Sequence, residues 1–145
     1  KAVGGGVGLI AACDYVLATE AASLKLSELT IGIGPFVIAP ALERKMGISA
    51  FSTLSLEAKS WKTAYWAEKN GLFNTVFENT RDLDNGIDIL TLQLSQYNPE
   101  ALLEMKKIFW EGTAHWDELL IQRAEITGKL VLSDFTKEAL AKLRS

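Results

Sequence analysis

Three consecutive glycines, Gly4, Gly5 and Gly6, run directly into an apolar, helix-competent stretch from Val7 to Cys13. Glycine reaches positive φ and lets backbone come close to a ligand. The first turn of a helix leaves its N–H groups without intrahelical acceptors, and such donors favour negative charge. Two anions suit them: a phosphate, or a carbonyl oxygen on its way to becoming an enolate oxygen. A P-loop needs Gly-Lys-Ser/Thr after its glycines, and a dinucleotide turn needs GxGxxG. Neither occurs, because Leu9 stands where the third glycine of the dinucleotide pattern belongs. An isolated triplet is equally compatible with the close packing of a turn. Twenty residues past Gly8 stands one carboxylate, Glu28, among the apolar residues Leu26, Leu29, Ile31 and Ile33. Such surroundings raise a carboxyl pKa toward a value useful for proton transfer, whereas the usual fate of glutamate is a solvated surface position.

The 145 residues, 48% hydrophobic and 23% charged, suffice to bury about two-thirds of the unfolded surface. Net charge is −3 with both signs interspersed, which excludes the basic stripe of a nucleic-acid binder. The longest apolar run, Ile31 to Leu42, contains Gly32, Gly34, Pro35 and Pro40 and falls short of the roughly 20 residues that span a bilayer. A single cysteine, Cys13, forms no internal disulfide and reads as a small buried apolar residue. With no signal-peptide pattern, the expectation is a reducing, cytoplasmic setting. No metal site is expected. The chain starts at Lys1 and reaches its glycine turn within four residues. Such a turn usually follows a strand, so the chain reads as a piece of something longer.

Periodicity gives the elements. After the buried helix at Val7–Cys13 come strands at Tyr15–Thr19 and Ser23–Leu26, then a loop through Gly32-Ile33-Gly34-Pro35. A helix over Val37–Met46 stops at Gly47, and Ser49 caps another over Ala50–Leu56. Lys62–Lys69 reads as helix ending at Asn70-Gly71, and Leu72–Phe77 as strand. From Asp82 the pattern is helical: Leu83, Ile87, Leu90, Leu94 and Tyr97 mark one face. Asn98-Pro99-Glu100 restarts a helix that should carry Leu102, Met105 and Phe109 inward. Thr113 opens a helix with a stripe of Trp116, Leu119, Ile126 and Leu130, and Ser133 opens the last, to Leu143. Residues 1–80 are thus mixed α and β, and residues 81–145 are helical.

Read in succession, Ala2-Val3-Gly4-Gly5-Gly6-Val7-Gly8-Leu9-Ile10-Ala11-Ala12-Cys13-Asp14, Glu28-Leu29-Thr30-Ile31-Gly32-Ile33-Gly34-Pro35, Met46-Gly47, Ala67 and Gly71-Leu72 resemble the enoyl-CoA hydratase/isomerase (crotonase) family. The resemblance covers essentially the whole chain, but only the second half of a typical member. It implies an α/β fold: residues 1–80 as the C-terminal part of the ββα spiral core, residues 81–145 as a helical tail for trimerisation and active-site cover. It also implies an acyl-CoA thioester substrate, no cofactor beyond the CoA of that substrate, and a trimer or hexamer of identical chains.

The resemblance assigns roles residue by residue. Gly5 matches the glycine whose N–H holds the thioester carbonyl, with Gly4 beside it, and a preorganised donor of this kind is worth about 3 kcal/mol in comparable sites. Glu28 matches the second of the two glutamates that hydratases of the family use. The first matches Gly8, which has no side chain. Two carboxylates hold and activate a water; one alone is better suited to carrying a proton between carbons, as the family's isomerases do. The Ile33-Gly34-Pro35-Phe36 loop, with no glycine cluster after it, also resembles theirs, so isomerisation is slightly favoured and hydration stays open. Leu26, Pro35 and Phe36 line an acyl pocket or simply pack in the core. Asp14 bonds backbone at the helix-to-strand turn, His115 is structural, and the four tryptophans anchor the core or a subunit interface. The 145-residue chain alone is expected to be inactive. The alternative is a non-catalytic, oligomer-forming relative that lost activity with the acid at position 8.

Overall fold

The computed structural model describes residues 1–144, with side chains through Lys142. Among the described residues all strands lie in the first 77, and every regular element from Thr80 onward is a helix. Strand β1 (Ala2–Val3) leads through Gly4 into α1 (Gly5–Ala11), followed by β2 (Leu17–Thr19) and β3 (Ser23–Lys25). β1 pairs in parallel with β3, Val3 opposite Lys25, and β3 pairs antiparallel with β4 (Lys62–Thr63). A second sheet joins β2 in parallel to β5 (Thr75–Phe77). Between them run a single 3-10 turn (Glu28–Ile31), α2 (Ala39–Leu56) and α3 (Ala64–Lys69).

Most expected elements are present, with shifted edges. The glycine helix begins at Gly5 rather than Val7. Gly47 breaks α2 with φ 76° and ψ 160°, so its two halves correspond to the two helices expected there. Lys62 and Thr63, expected as helix, are strand instead. They pair with Leu24 and Ser23, and the Thr63 side chain accepts from Trp66 N–H to cap α3. Tertiary pairing overrides local propensity here.

The core lies entirely between Val7 and Phe73. Val7, Leu24, Leu26, Leu42, Leu54 and Leu72 are at most 1% exposed and form one cluster with Ala11, Ala64, Ala67 and Phe73. Helices α4 (Thr80–Ser95), α5 (Pro99–Phe109) and α6 (Trp116–Val131) bury none of their residues. The stripe Leu102, Met105, Phe109 therefore does not point inward: these side chains are 37–48% exposed. Helix α5 is held by its C-terminal end. Trp110 Nε1 donates to Asp14 Oδ1 at 2.7 Å, Lys106 pairs with the same carboxylate, and Arg44 Nε donates to Phe109 O at 3.0 Å while its guanidinium covers the Trp110 ring. Burial alone would raise the Asp14 pKa, but the Lys106 and Trp110 hydrogen bonds and the charges of Lys106 and Arg44 outweigh it and hold the carboxyl low. The Asp14 side chain, expected to bond adjacent backbone, bonds Lys106 and Trp110 at the end of a distant helix instead. Cys13, expected buried, is exposed, because α1 ends at Ala11 and the chain turns outward.

Among the described residues, helix α7 (Asp134–Arg144) inserts a fully buried side chain, Thr136, where α4, α5 and α6 insert none. No helix among the described residues is long and apolar enough to cross a membrane.

The Asn98 side chain accepts from Glu100 N–H at 2.9 Å and from Ala101 N–H at 3.4 Å, and Pro99 occupies the first turn. Asn98→Ala is expected to cost about 1 kcal/mol, read as a lower urea midpoint with an unchanged slope.

Candidate active site

Gly4 has φ 54° and ψ −120°, a conformation open to glycine and strained for other residues. Its N–H donates to Lys25 O at 3.1 Å, which ties the turn to β3, and its carbonyl accepts the first α1 hydrogen bonds, from Val7 at 2.9 Å and Gly8 at 3.3 Å. The next two donors, Gly5 and Gly6 N–H, begin the helix and find no acceptor among the described residues. Nothing lies within 4 Å of the position a Gly5 Cβ would take, so the space beside that residue is open.

Glu28 sits three residues beyond Lys25, at the start of the 3-10 turn. Its carboxyl folds back onto Gly4: Oε1 lies 3.0 Å from where a Gly4 Cβ would be. The other oxygen, Oε2, is buried with no hydrogen-bond partner. Burial raises the Glu28 pKa, and its own backbone N–H offsets only part of that rise. The Glu28 carboxyl therefore lies against Gly4, the residue next to the unpartnered Gly5 amide, with one oxygen lacking a partner and the group partly desolvated. Such a pair combines an anion-stabilising donor with a proton-transferring carboxylate.

The remaining expected residues divide. Pro35 and Phe36 line an apolar cavity of about 310 Å³ with Leu29, Ala39, Phe51 and Leu56. Leu26 does not open onto any such space; it is 1% exposed inside the core, because β3 turns that face toward α1 and α2. His115 lies beside the start of α6, in a cavity with Arg44, Trp116 and Arg123 that shares no residue with Gly4 or Glu28. Among the described residues no group of three or more His, Cys, Asp or Glu could hold a metal ion.

Two features were not read from the sequence. A Cβ on Gly8 would fall 2.3 Å from Ile38 Cγ2 and 2.8 Å from Ile38 Cβ, so the space over position 8 is filled by a branched apolar side chain. And Gly32, at φ 80°, receives Phe135 and Thr136 of α7 where its side chain would be. Nothing in the local pattern pairs positions 8 and 38, or 32 and 136, since both are contacts between separate elements.

Comparison with known proteins decides the family. Residues 1–141 match the sequence model described as Enoyl-CoA hydratase/isomerase. The chain belongs to the enoyl-CoA hydratase/isomerase family. An Escherichia coli K12 relative named 2,3-dehydroadipyl-CoA hydratase is 33% identical over 107 residues, 73% of this chain and 41% of that protein. A Mycobacterium avium enoyl-CoA hydratase structure superposes with a TM-score of 0.89 at 28% identity, over 98% of this chain and 56% of the other. One from Bacillus halodurans gives 0.87 at 25%, over 97% and 56%. The fold is thus crotonase-like, as the motif succession implied, and the chain spans about half the length of the relatives it matches.

Because the Glu28 pKa is raised in the fold, ionising Glu28 opposes folding: the stability it forgoes is fully present below the ordinary glutamate pKa and is lost as pH rises through the folded one. Glu28→Gln is therefore expected to raise the thermal midpoint at pH 7, with the gain shrinking to nothing at pH 3.5. Equal or lower midpoints at pH 7 would contradict the burial described above.

Proposed function

We propose that the protein carrying this chain acts on unsaturated acyl-CoA thioesters, with Glu28 as its single acid/base and Gly5 N–H as one donor of an oxyanion hole. The observation that carries this reading is the pairing of the free Gly5 amide with a buried, unpartnered carboxylate oxygen on Glu28, one glycine away. In the reaction, the Glu28 carboxylate takes a proton from the carbon beside the thioester carbonyl, and the electron pair moves into an enolate whose oxygen rests on Gly5 N–H. Glu28 then returns the proton to the far carbon of the conjugated system, so the double bond moves and no atom is gained or lost.

Isomerisation is favoured over hydration because Ile38 occupies the space over position 8. A water held between two carboxylates needs a second acid, and the place a side chain at position 8 would take is filled by Ile38. Hydration is the second reading, favoured by the name of the E. coli relative; it requires an acid from another segment. A non-catalytic, oligomer-forming relative is the remaining alternative. The helical segment from residue 81 would then serve assembly only, and its exposed Ile89, Leu92, Leu103 and Ile108, each 58–68% exposed, suit burial against further copies of the chain. In the enzymatic readings we assign to this segment both assembly, as a trimer or hexamer, and active-site cover. A cytoplasmic location and a need for no cofactor beyond the substrate's CoA complete the proposal.

Steady-state assays with 3-enoyl-CoA and 2-enoyl-CoA separate these readings. Turnover of the 3-enoyl substrate is expected, and Glu28→Gln should lower it by about 10²- to 10⁴-fold. Turnover of neither substrate, or turnover indifferent to that substitution, rejects the assignment. A second test uses position 8. Gly8→Glu alone is expected to disrupt packing against Ile38 without adding hydration, whereas Gly8→Glu combined with Ile38→Ala should gain measurable hydration of 2-enoyl-CoA.

A further inference from the structure

Glu28 stands on a weak support. The 3-10 turn is one turn long and buries none of its four residues, and isolated turns of this kind are marginal on their own. Its internal bonds are few: Thr30 N–H and Oγ1 both reach Ser27 O, at 3.0 and 2.6 Å, Gly32 N–H reaches Leu29 O at 3.3 Å, and Ile33 N–H reaches Glu28 O at 3.2 Å. What fixes the turn in space is therefore what packs on it, α2 and α7, and α7 fills the space at the residue that ends it. Gly32 ends the turn in the left-handed region, φ 80°. A Cβ there would lie 2.4 Å from Phe135 Cδ1 and 2.7 Å from Thr136 Oγ1, so these two side chains enter the space the glycine leaves.

Thr136 is itself immobilised. It is 0% exposed, its hydroxyl donates to Leu130 O at 3.0 Å, and the Ser133 hydroxyl, which also caps α7 by accepting from Thr136 N–H at 3.3 Å, lies 3.2 Å from it. The α6–α7 corner thus presents a fixed knob to the residue that ends the Glu28 turn. Away from that knob the two elements part: Thr30 and Ile31 face Phe135, Glu138, Ala139 and Lys142 across a cavity of about 330 Å³. Glu57 and Lys59, following α2, flank the turn on its other side. None of these charged groups sets the acidity of Glu28, which burial and its own N–H determine.

We propose that Thr136 and Gly32 are positioning residues for Glu28: the docking of α7 into the space at Gly32 holds the carboxyl against the Gly4 turn. This rests on the reading of Glu28 as acid/base. The alternative is that α7 only adds stability to the fold.

The test is made in the full protein. Thr136→Val keeps the shape of the knob and removes its hydroxyl; Gly32→Ala forces Phe135 and Thr136 outward. Each is expected to lower kcat for the acyl-CoA substrate by about 10- to 100-fold, the scale of a small misplacement of a reacting group, with KM nearly unchanged. The acid limb of the kcat/KM pH profile should move down toward the ordinary glutamate range as the carboxyl becomes hydrated, and Thr136→Ser should restore both. Lower thermal midpoints with unchanged kcat and an unmoved acid limb would overturn the proposal and leave α7 a stabilising element. If Gly32→Ala does not fold, Thr136→Val and its Ser rescue decide alone. Should Glu28→Gln leave turnover intact, the reading of Glu28 falls first; should Glu28→Gln abolish turnover while Thr136→Val does not, only this inference falls.

Discussion

The carboxyl of Glu28 fits where it does because residue 4 has no side chain. Oε1 lies 3.0 Å from the place of a Gly4 Cβ, and the φ of 54° at that residue is one that other amino acids adopt only at a cost. The contact joins residues 24 positions apart, and the parallel pairing of β1 with β3 makes it possible. Val3 lies opposite Lys25, Gly4 N–H is bonded to Lys25 O, and Glu28 follows three residues later. Turn and carboxylate are thus two ends of one strand register. A shift of that register by a single residue would invert which face each strand presents and separate the amide from the acid.

The cost of this arrangement is a buried carboxylate oxygen with no partner, and its consequence is a raised pKa. Both are tolerated because the site lies at the edge of the well-packed part of the molecule, where Val7, Ala11, Leu24 and Leu26 form one continuous core. The helices from Thr80 onward contribute differently. Helix α5 is clamped by a polar cluster around Asp14 and Trp110 rather than by its apolar stripe, whereas α6 reaches the cavity at Pro35 and Phe36 through Arg123 and α7 reaches the Glu28 turn through Phe135 and Thr136. A glutamate on a single solvent-edged turn is precise only if something rigid braces it, and the hydrogen-bonded knob of the α6–α7 corner is suited to that task.

Much of this was legible in the residues themselves. The glycine triplet marked a helix start with free donors, Asn98-Pro99 marked a capped helix, and Gly47 and Gly71 marked helix ends, because capping and left-handed turns are encoded by one or two adjacent residues. The order of motifs from Ala2 to Leu72 identified the family. What escaped was set by contacts between elements far apart in the chain. Lys62-Thr63 has a helix-compatible composition but is captured as strand by Ser23-Leu24. Leu26, which the residues left open between acyl pocket and core, lies in the core one residue past β3. The apolar periodicity of α5 is real, but periodicity says only that a face is apolar, not that this chain covers it. Likewise the absence of an acid at position 8 could be read directly, whereas its replacement by the bulk of Ile38 required the packing of the loop onto α1.

The most direct examination of the central claim is a crystal structure of the full protein with a non-reactive unsaturated acyl-CoA analogue bound. The expected result is a thioester oxygen within hydrogen-bond distance of Gly5 N–H and a Glu28 oxygen against the adjoining carbons of the acyl chain. A thioester bound elsewhere, with Gly5 N–H left to solvent and Glu28 turned away from the acyl group, would contradict the account.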